Sequence, residues 1–180
     1  MTLMSEFPPA LLDAIAFATR AHRHQIRKDG QTPYVSHLFR VCLIVRHLFG
    51  IENEKVLTAA VLHDTIEDTT TDFDDVEEHF GAEVAGWVAA LSKDKRRRDD
   101  EREAAYCRTL SESPWQVRVC KLADMYDNLT DAKALPADKR QRTVKRSQRY
   151  FDALRVNLPE EARRPFEVVL AYYEKMRREP

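Results

Sequence analysis

Apolar residues recur at intervals of three and four along most of this chain, a spacing that restricts each segment to a helix with one buried face. The first pattern opens at Pro8–Pro9 and runs to about Gln25. Within it, Leu11 and Ile15 lie four residues apart, on one side of a helix. Only 4 of the 180 residues are Gly, and the alternating β-branched runs and Asn-Gly turns typical of sheets are missing. The sequence therefore predicts an all-α fold.

Turn-forming residues divide the chain into about eight to ten helices, which we expect to form a single domain over residues 1–180. The stretch IRKDGQTPY contains Gly30 and Pro33 and is expected to be a loop. After this loop, Ser36 is expected to cap a second helix that stops at Gly50.

The remaining helix boundaries follow from capping residues in the same way. Asp72 or Asp74 is expected to start a short helix, and Ser113 to cap a long one with Pro114 at its first position. The tract at 93–105, KDKRRRDDEREAA, is expected to be exposed at its start and helical at its end. Further helices are expected over residues 53–66, 73–80, 82–92, 138–157 and 159–178.

Composition excludes several classes of partner. Hydrophobic residues make up 43% and charged residues 33%, as in soluble globular proteins. The net charge of −1 provides no global field for nucleic acid or an anionic membrane, so neither is an expected partner. Residues 1–17 lack a signal-peptide pattern, and no apolar run reaches the roughly 18 residues of a membrane span. Three scattered cysteines indicate reduced thiols, so a cytoplasmic location is expected; nothing marks an oligomer interface.

One apolar segment ends in a group of titratable residues, AAVLHDTIED. On a continuous helix His63 would stack above Glu67 and Asp64 above Asp68, because residues four apart share a face. If the helix instead ends near Thr65, the Glu-Asp pair lies just beyond its end, close to the same point. Burying unpaired carboxylates costs several kcal/mol for each ion, and a divalent cation removes that cost. The pattern therefore indicates a metal site.

Two ligands are too few for such a site, and the chain offers two further candidates. His37 opens an apolar helix after a loop, and Asp124 interrupts the apolar pattern VRVCKLADMY. Two histidines and two aspartates make a mixed nitrogen and oxygen site that suits Mn²⁺, Fe²⁺ or Zn²⁺, with open positions for water and substrate. Spacing alone leaves this ligand set undetermined.

Three blocks of the sequence carry a resemblance to a known family. AHRHQIRKDGQTPYVSHLFRV, AAVLHDTIEDTTTDFDDVEEHFGAEVAGWV and VCKLADMYDNLTD resemble the hydrolase domain of the RelA/SpoT enzymes, within the HD phosphohydrolase superfamily. The resemblance covers about residues 10–155, and the length is similar to that of the stand-alone small alarmone hydrolases. It implies an all-helical HD domain and manganese-dependent removal of the 3′-pyrophosphate from the small nucleotides ppGpp and pppGpp.

The resemblance also implies roles for individual residues of this chain. The implied metal ligands are His37, His63, Asp64 and Asp124. The implied catalytic pair, which positions and deprotonates the attacking water, is Glu67 and Asp68. The implied substrate contacts are Arg27 and Lys28 to the nucleotide, Asn128 near the ribose and Arg146 to phosphate.

The chain departs from the family pattern at three places. Leu38 stands where the family commonly has Pro, which changes the entry to the helix rather than metal ligation. Thr130 and Asp131 stand where many members have Arg-Thr or Arg-Asp after the Asn, and the missing Arg puts nucleotide affinity and preference in question. The basic run Lys95–Arg98 is either a source of replacement phosphate contacts or a solvated stretch of charge.

Three other functions remain open on the sequence. The same metal centre could act on another nucleotide, such as NADPH or a nucleoside monophosphate, and would then release single phosphate. A catalytically idle nucleotide sensor would bind without turnover, and a purely structural protein would bind neither metal nor nucleotide. The retained ligand set and the Glu67–Asp68 pair favour an enzyme.

Overall fold

Ten α-helical segments, labelled α1 to α10, make up most of the computed structural model, which describes residues 9–178. They are α1 Pro9–Ala21, α2 Val35–Leu43, α3 Glu54–Leu62, α4 Thr65–Asp68, α5 Phe73–Phe80, α6 Ala82–Leu91, α7 Asp99–Glu112, α8 Trp115–Ala132, α9 Ala137–Leu154 and α10 Glu160–Arg178. A π-helical turn, Ile44–Leu48, continues α2. Strand-type pairing within the described residues is limited to one bridge between Ile26 and Pro33. The predicted all-α class is confirmed.

Helix α8 lies at the centre of the hydrophobic core and packs against α2, α3, α6, α9 and α10. Its apolar side chains, among them Val119, Leu122 and Leu129, are fully buried. Burying a side chain of this size stabilises the fold by about 1.5–3 kcal/mol. Because α8 is enclosed by its neighbours, any polar residue on it must find a partner inside the protein.

Helix α3 is buried on all sides, and this determines where the His-Asp motif lies. Every residue from Val56 to Leu62 is buried, and α3 packs between α1, α2 and α6. A helix that is apolar all round belongs to the interior of a domain. His63 and Asp64, which follow its last residue, therefore emerge inside the protein rather than at its surface.

The chain breaks helical geometry at His63–Asp64, so one of the two expected arrangements is realised. The Thr65 hydroxyl donates a hydrogen bond of 2.7 Å to the Leu62 carbonyl, which occupies an acceptor at the end of α3. The single turn α4 then carries Glu67 and Asp68. A continuous helix over 53–66 was expected, and the structure has two helices there, separated at His63–Asp64.

The start of α2 corrects one expected cap, and the start of α5 confirms another. Helix α2 begins at Val35, so Ser36 lies in its first turn and its hydroxyl makes no hydrogen bond among the described residues. Asp72 caps α5 through a reciprocal capping box with Asp75. The prediction for Ser36 was wrong because the backbone turns into the helix two residues earlier, after Pro33.

Ser113 also has a different role from the one expected. Its hydroxyl donates to the carbonyl of Thr109, so it closes the end of α7 instead of capping α8. Pro114 precedes the first residue of α8, Trp115. A serine hydroxyl can accept from the first amides of the following helix or donate to the last carbonyls of the preceding one, and here it donates to the preceding helix.

Helix α10 agrees closely with the expected 159–178, whereas α1 is shorter than expected. Helix α1 begins at Pro9 and stops at Ala21, four residues before the expected Gln25, while Pro8 lies outside the described residues. No helix in residues 9–178 has the length and apolar character needed to cross a bilayer. The described residues share one hydrophobic core, and a single domain over the entire chain stays a prediction.

Candidate metal centre and nucleotide cleft

Three of the expected metal ligands converge on one point. His37 lies in the first turn of α2, His63 follows the last residue of α3, and Asp124 lies in the middle of α8. One ligand atom from each lies within 4.8 Å of the others, and all three residues are buried. Residues far apart in the chain thus form a cluster that could hold a metal ion.

Asp64 joins this cluster from the side. Its Oδ2 lies 3.1 Å from His63 Nε2 and 3.6 Å from His37 Nε2. The Tyr34 hydroxyl donates a hydrogen bond of 2.6 Å to the same oxygen and so fixes the carboxylate. Asp64 therefore lies beside the cluster and could contribute a further ligand atom.

The imidazole of His63 tests whether the cluster suits a cation. Its Nδ1 donates a hydrogen bond of 2.8 Å to the Ala60 carbonyl, which leaves Nε2 with a lone pair. That Nε2 is fully buried and makes no hydrogen bond among the described residues. This atom lies 3.1 Å from Asp64 Oδ2 and 3.8 Å from Asp124 Oδ1, so its lone pair would face two carboxylates, an arrangement that is costly without a cation between them. The residues present therefore fit a divalent cation.

Burial and neighbouring charges act in opposite directions on the pKa values of these side chains. Burial alone would lower the pKa of His37, but hydrogen bonds to Asp124, Asp127 and Asp64 raise the pKa well above its ordinary value. Burial would raise the pKa of Asp124, yet the ammonium of Lys121 and the two imidazoles hold this pKa far below its usual range. The cluster is thus a dense set of compensated charges.

Lys121 supplies the nearest compensating charge and was missed by the sequence analysis. Its Nζ lies 2.8 Å from Asp124 Oδ2. The same ammonium lies 5.1 Å from the ring centroid of Tyr106 and 4.5 Å from that of Tyr150, within the range of cation–π attraction. A lysine three residues before Asp124, within the mostly apolar stretch VRVCKLADMY, was the available signal.

A cavity of about 290 Å³ opens above the cluster. The expected site residues that line it are Arg27, Lys28, His63, Asp64, Glu67, Asp68, Asp124, Asn128 and Arg146. His37 lies behind this lining and is 1% exposed. One cavity thus contains every candidate residue except the most deeply buried ligand.

Glu67 and Asp68 face this cavity from α4 in different surroundings. Glu67 Oε2 accepts a hydrogen bond of 2.9 Å from the Lys93 backbone amide, and burial raises the pKa of Glu67 above its ordinary value. Asp68 forms an ion pair with Lys95 at the more open side. Glu67 is the member of the pair whose surroundings favour accepting a proton.

The basic residues at the mouth of the cavity are more buried, or more tightly paired with carboxylates, than the sequence led us to expect. Arg27 is 10% exposed, and its guanidinium lies 2.6 Å from Asp131 and 3.3 Å from Asp127. Burial, followed by the neighbouring Arg146 and Arg27, lowers the pKa of Lys28. Asp131, which follows the position of the missing Arg, thus balances the charge of an expected substrate contact.

Asn128 and Arg146 complete the wall of the cavity. The Asn128 amide donates a hydrogen bond to Asp124 Oδ1, so it is fixed beside a candidate metal ligand. Arg146 is exposed on α9 and also lines a neighbouring groove with Arg142, Lys145 and Arg149. Exposed arginine beside a cavity suits contact with phosphate.

The basic run Lys95–Arg98 is mostly engaged with its own neighbours. Asp94 accepts hydrogen bonds from Arg96 at 2.8 Å and Arg97 at 3.3 Å. Of the run, only Lys95 forms an ion pair with a residue that lines the cavity. The arrangement favours a solvated stretch of charge over a set of phosphate contacts.

Comparisons with known proteins agree with this geometry. The sequence profile of the HD domain matches residues 14–158. The guanosine-3′,5′-bis(diphosphate) 3′-pyrophosphohydrolase MESH1 of Drosophila melanogaster is 40% identical over 130 residues, which are 71% of this chain and 73% of that protein. Its Homo sapiens counterpart is 44% identical over 122 residues, 67% of this chain and 68% of that protein.

Two solved structures have the same fold as this chain. A protein described as a metazoan orthologue of SpoT that hydrolyses ppGpp superimposes with a TM-score of 0.83 at 31% identity, over 96% of this chain and 98% of the other. A protein from Listeria monocytogenes EGD-e superimposes with a TM-score of 0.69 at 28% identity, over 82% of this chain and 97% of the other. The resemblance drawn from the sequence blocks is thereby confirmed: this chain belongs to the HD-domain family and is a relative of the MESH1 and SpoT proteins.

Proposed function

We propose that this protein removes the 3′-pyrophosphate of guanosine polyphosphates, converting ppGpp to GDP and pppGpp to GTP. The observation that carries the proposal is the convergence of His37, His63 and Asp124 beneath a cavity lined by carboxylates and basic residues. The names of the relatives support the choice of substrate, since the MESH1 proteins are called 3′-pyrophosphohydrolases of guanosine-3′,5′-bis(diphosphate).

Under this proposal His37, His63, Asp64 and Asp124 hold one divalent cation. The mixed imidazole and carboxylate set suits several first-row ions, and we propose Mn²⁺ on the strength of the family resemblance. When bound, such an ion neutralises charge on the phosphate and lowers the pKa of water. The buried Nε2 of His63, which makes no hydrogen bond among the described residues and lies 3.1 Å from Asp64 Oδ2, is the atom that most requires it.

Glu67 is proposed to accept the proton of the attacking water. The pKa of its carboxyl is raised by burial, which brings it towards neutral pH and makes the ionised form a better base. Asp68 lies on the same turn of helix, paired with Lys95 at the more open side, where it can orient the water or the departing pyrophosphate. The two carboxylates thus divide proton transfer and orientation between them.

The nucleotide is proposed to lie along the basic wall of the cavity. Arg146 and Lys28 attract its phosphates, and Asn128 offers a polar contact near the ribose. Because Asp131 and Asp127 balance the charge of Arg27, we assign Arg27 to orientation through hydrogen bonds rather than to attraction of the polyanion.

The reaction is proposed to take place in the cytoplasm. Cys42, Cys107 and Cys120 are all free thiols. Unpaired cysteines persist in the reducing cytosol, where guanosine nucleotides are also available.

The direct test is incubation of the full chain with ppGpp and Mn²⁺, followed by chromatography of the products. The wild type should yield GDP and pyrophosphate, and His63→Ala and Asp64→Ala should yield neither. Hydrolysis that persists in both variants would overturn the metal assignment.

The same assay separates the alternatives. Release of single phosphate from NADPH or a nucleoside monophosphate, with ppGpp untouched, would keep the metal centre and replace the substrate. Binding of ppGpp without turnover in excess Mn²⁺ would instead identify a sensor.

A further inference from the structure

We propose that Asp127 is a positioning residue that fixes the imidazole of His37 for metal binding; the inference rests on the metal centre of the proposed function. Asp127 lies one turn after Asp124 on α8 and is 1% exposed. Its Oδ2 accepts a hydrogen bond of 2.6 Å from His37 Nδ1. His37 Nε2, on the opposite side of the ring, lies 3.2 Å from Asp124 Oδ1 and 3.6 Å from Asp64 Oδ2.

The hydrogen bond determines which nitrogen of His37 is left for the ion. An ionised carboxylate can only accept, so Nδ1 carries a proton, and Nε2 is the nitrogen that can give its lone pair to a cation bound between it and the carboxylates of Asp124 and Asp64. An imidazole ring without such a partner is free to rotate or to change tautomer. A carboxylate behind a metal-binding histidine also increases its basicity, and this raises its affinity for the ion.

Asp127 is itself held in place by two arginines. Arg40 Nε lies 2.5 Å from Oδ1, and Arg27 Nη2 lies 3.3 Å from Oδ2, the oxygen that His37 contacts. Both oxygens are therefore occupied, and the carboxylate cannot turn away from His37. Contacts thus run from the ring through the carboxylate to the guanidinium of Arg40, which is partly exposed.

The charges of Arg27 and Arg40 do not by themselves explain why a buried carboxylate lies at position 127. Asp131, one turn further along α8, already lies 2.6 Å from both Arg27 and Arg40 and is more exposed. Asp127 is also outside the lining of the cavity, so it does not touch substrate. What Asp127 contacts and Asp131 does not is the imidazole of His37.

The test is Mn²⁺ affinity measured on the full chain after removal of metal with a chelator. The electron paramagnetic resonance signal of free Mn²⁺ gives the dissociation constant directly, without substrate or turnover. We expect Asp127→Asn to weaken binding about 10-fold, because the amide oxygen still accepts from Nδ1 but the charge is lost. Asp127→Ala should weaken it by up to about 100-fold.

Asp131→Asn is the matched control. It removes a carboxylate from the same two arginines on the same helix face, yet it leaves His37 untouched, so its dissociation constant for Mn²⁺ should stay within about twofold of wild type. Circular dichroism and thermal unfolding in chelator check that each variant is folded. If the Ala variant does not fold, the test rests on the nearly isosteric Asn variant.

A second readout reports the tautomer itself. In Zn²⁺-loaded wild type, long-range proton–nitrogen NMR should show the His37 proton on Nδ1 with a strongly deshielded resonance, and Asp127→Ala should lose this resonance. Folded Asp127 variants that bind Mn²⁺ as tightly as wild type would overturn the inference and leave the proposed function standing. A wild type that binds no Mn²⁺ would overturn both.

Discussion

The floor and the rim of the cleft are built in opposite ways. On the floor, His37, His63 and Asp124 are buried and belong to three helices that pack in the core. On the rim, Arg146 is exposed on α9, and the run Lys95–Arg98 lies in a loop and pairs with nearby carboxylates. Packed helices hold side chains to within small displacements, whereas exposed charges on long side chains adapt to what binds.

This contrast separates two kinds of energetic contribution. Charges on the floor have little water around them, so each one depends strongly on its neighbours. Charges on the rim are screened by solvent, and a single exposed pair contributes only about 0–1 kcal/mol. Substitutions on the floor should therefore change the chemical step or the metal, and substitutions on the rim should change substrate affinity by smaller factors.

The largest effect is expected from removing a ligand on the floor. His63→Ala should lower kcat/KM for ppGpp by about 10³-fold or more, because the stabilisation supplied by the ion is lost. Mn²⁺ binding should be lost in the same variant. His47→Ala is the control, since His47 is exposed and outside the cavity, and it should match wild type. Equal activity in the two variants would place the chemistry elsewhere.

The next largest effect tests the carboxylate above the floor. Glu67→Gln should lower kcat by about 10²–10⁴-fold, the usual loss when a general base is removed. Its Mn²⁺ affinity should stay near that of wild type, because Glu67 is not one of the clustered ligands. If metal binding is lost along with activity, Glu67 belongs to the floor rather than to proton transfer.

A smaller effect is expected at the rim. Arg146→Ala should raise KM for ppGpp about 10-fold with a modest change in kcat, since one charged hydrogen bond to phosphate is lost. Raising the salt concentration should narrow this difference because the contact is exposed.

Arg142→Ala is the control for this prediction, because Arg142 lies one turn away on the same helix face and pairs with Asp138. A KM that rises equally in both variants would point to the general charge of α9 and not to a specific contact.

The smallest effect concerns stability rather than rate. The pKa of Glu67 is raised in the folded protein, so ionisation at neutral pH costs stability, and this cost disappears as pH falls through the raised pKa. Metal-free Glu67→Gln should therefore have a higher Tm than wild type at pH 7.5, and the difference should vanish near pH 4.

The pKa of Glu103 is shifted in the opposite direction, which predicts the opposite effect on stability. Although burial would raise the pKa of Glu103, hydrogen bonds from Lys93 and Tyr150 lower it, so its ionised form stabilises the fold. Glu103→Gln should lower Tm at pH 7.5, and that loss should shrink at acidic pH. Matching shifts in the two variants would show that burial of Glu67 is not the cause.

The fold could be predicted from local patterns because apolar periodicity reports burial directly. The expected helices over 73–80 and 82–92 agree closely with α5 and α6. The caps at Ser36 and Ser113 could not be assigned, since a serine hydroxyl can bond to either neighbouring segment. Such a choice depends on backbone direction, which a single sequence does not specify.

The floor of the site could be predicted through its family resemblance, but the residues that support it could not. Asp127 contacts a histidine 90 residues away, and Tyr34 contacts Asp64 across 30 residues. The pairing of Arg27 with Asp131 spans 104 residues and changes the role of an expected substrate contact. Partners at such separations follow from the packing of helices, and no local pattern identifies them.

Lys121 has a consequence for the order in which the protein is assembled. Its ammonium, enclosed by Tyr106 and Tyr150, neutralises Asp124 from within the polypeptide. The metal-binding site can therefore fold before any metal ion binds. We expect the apoprotein to stay folded and to bind metal again when it is added, unlike a zinc finger, which unfolds when its ion is removed.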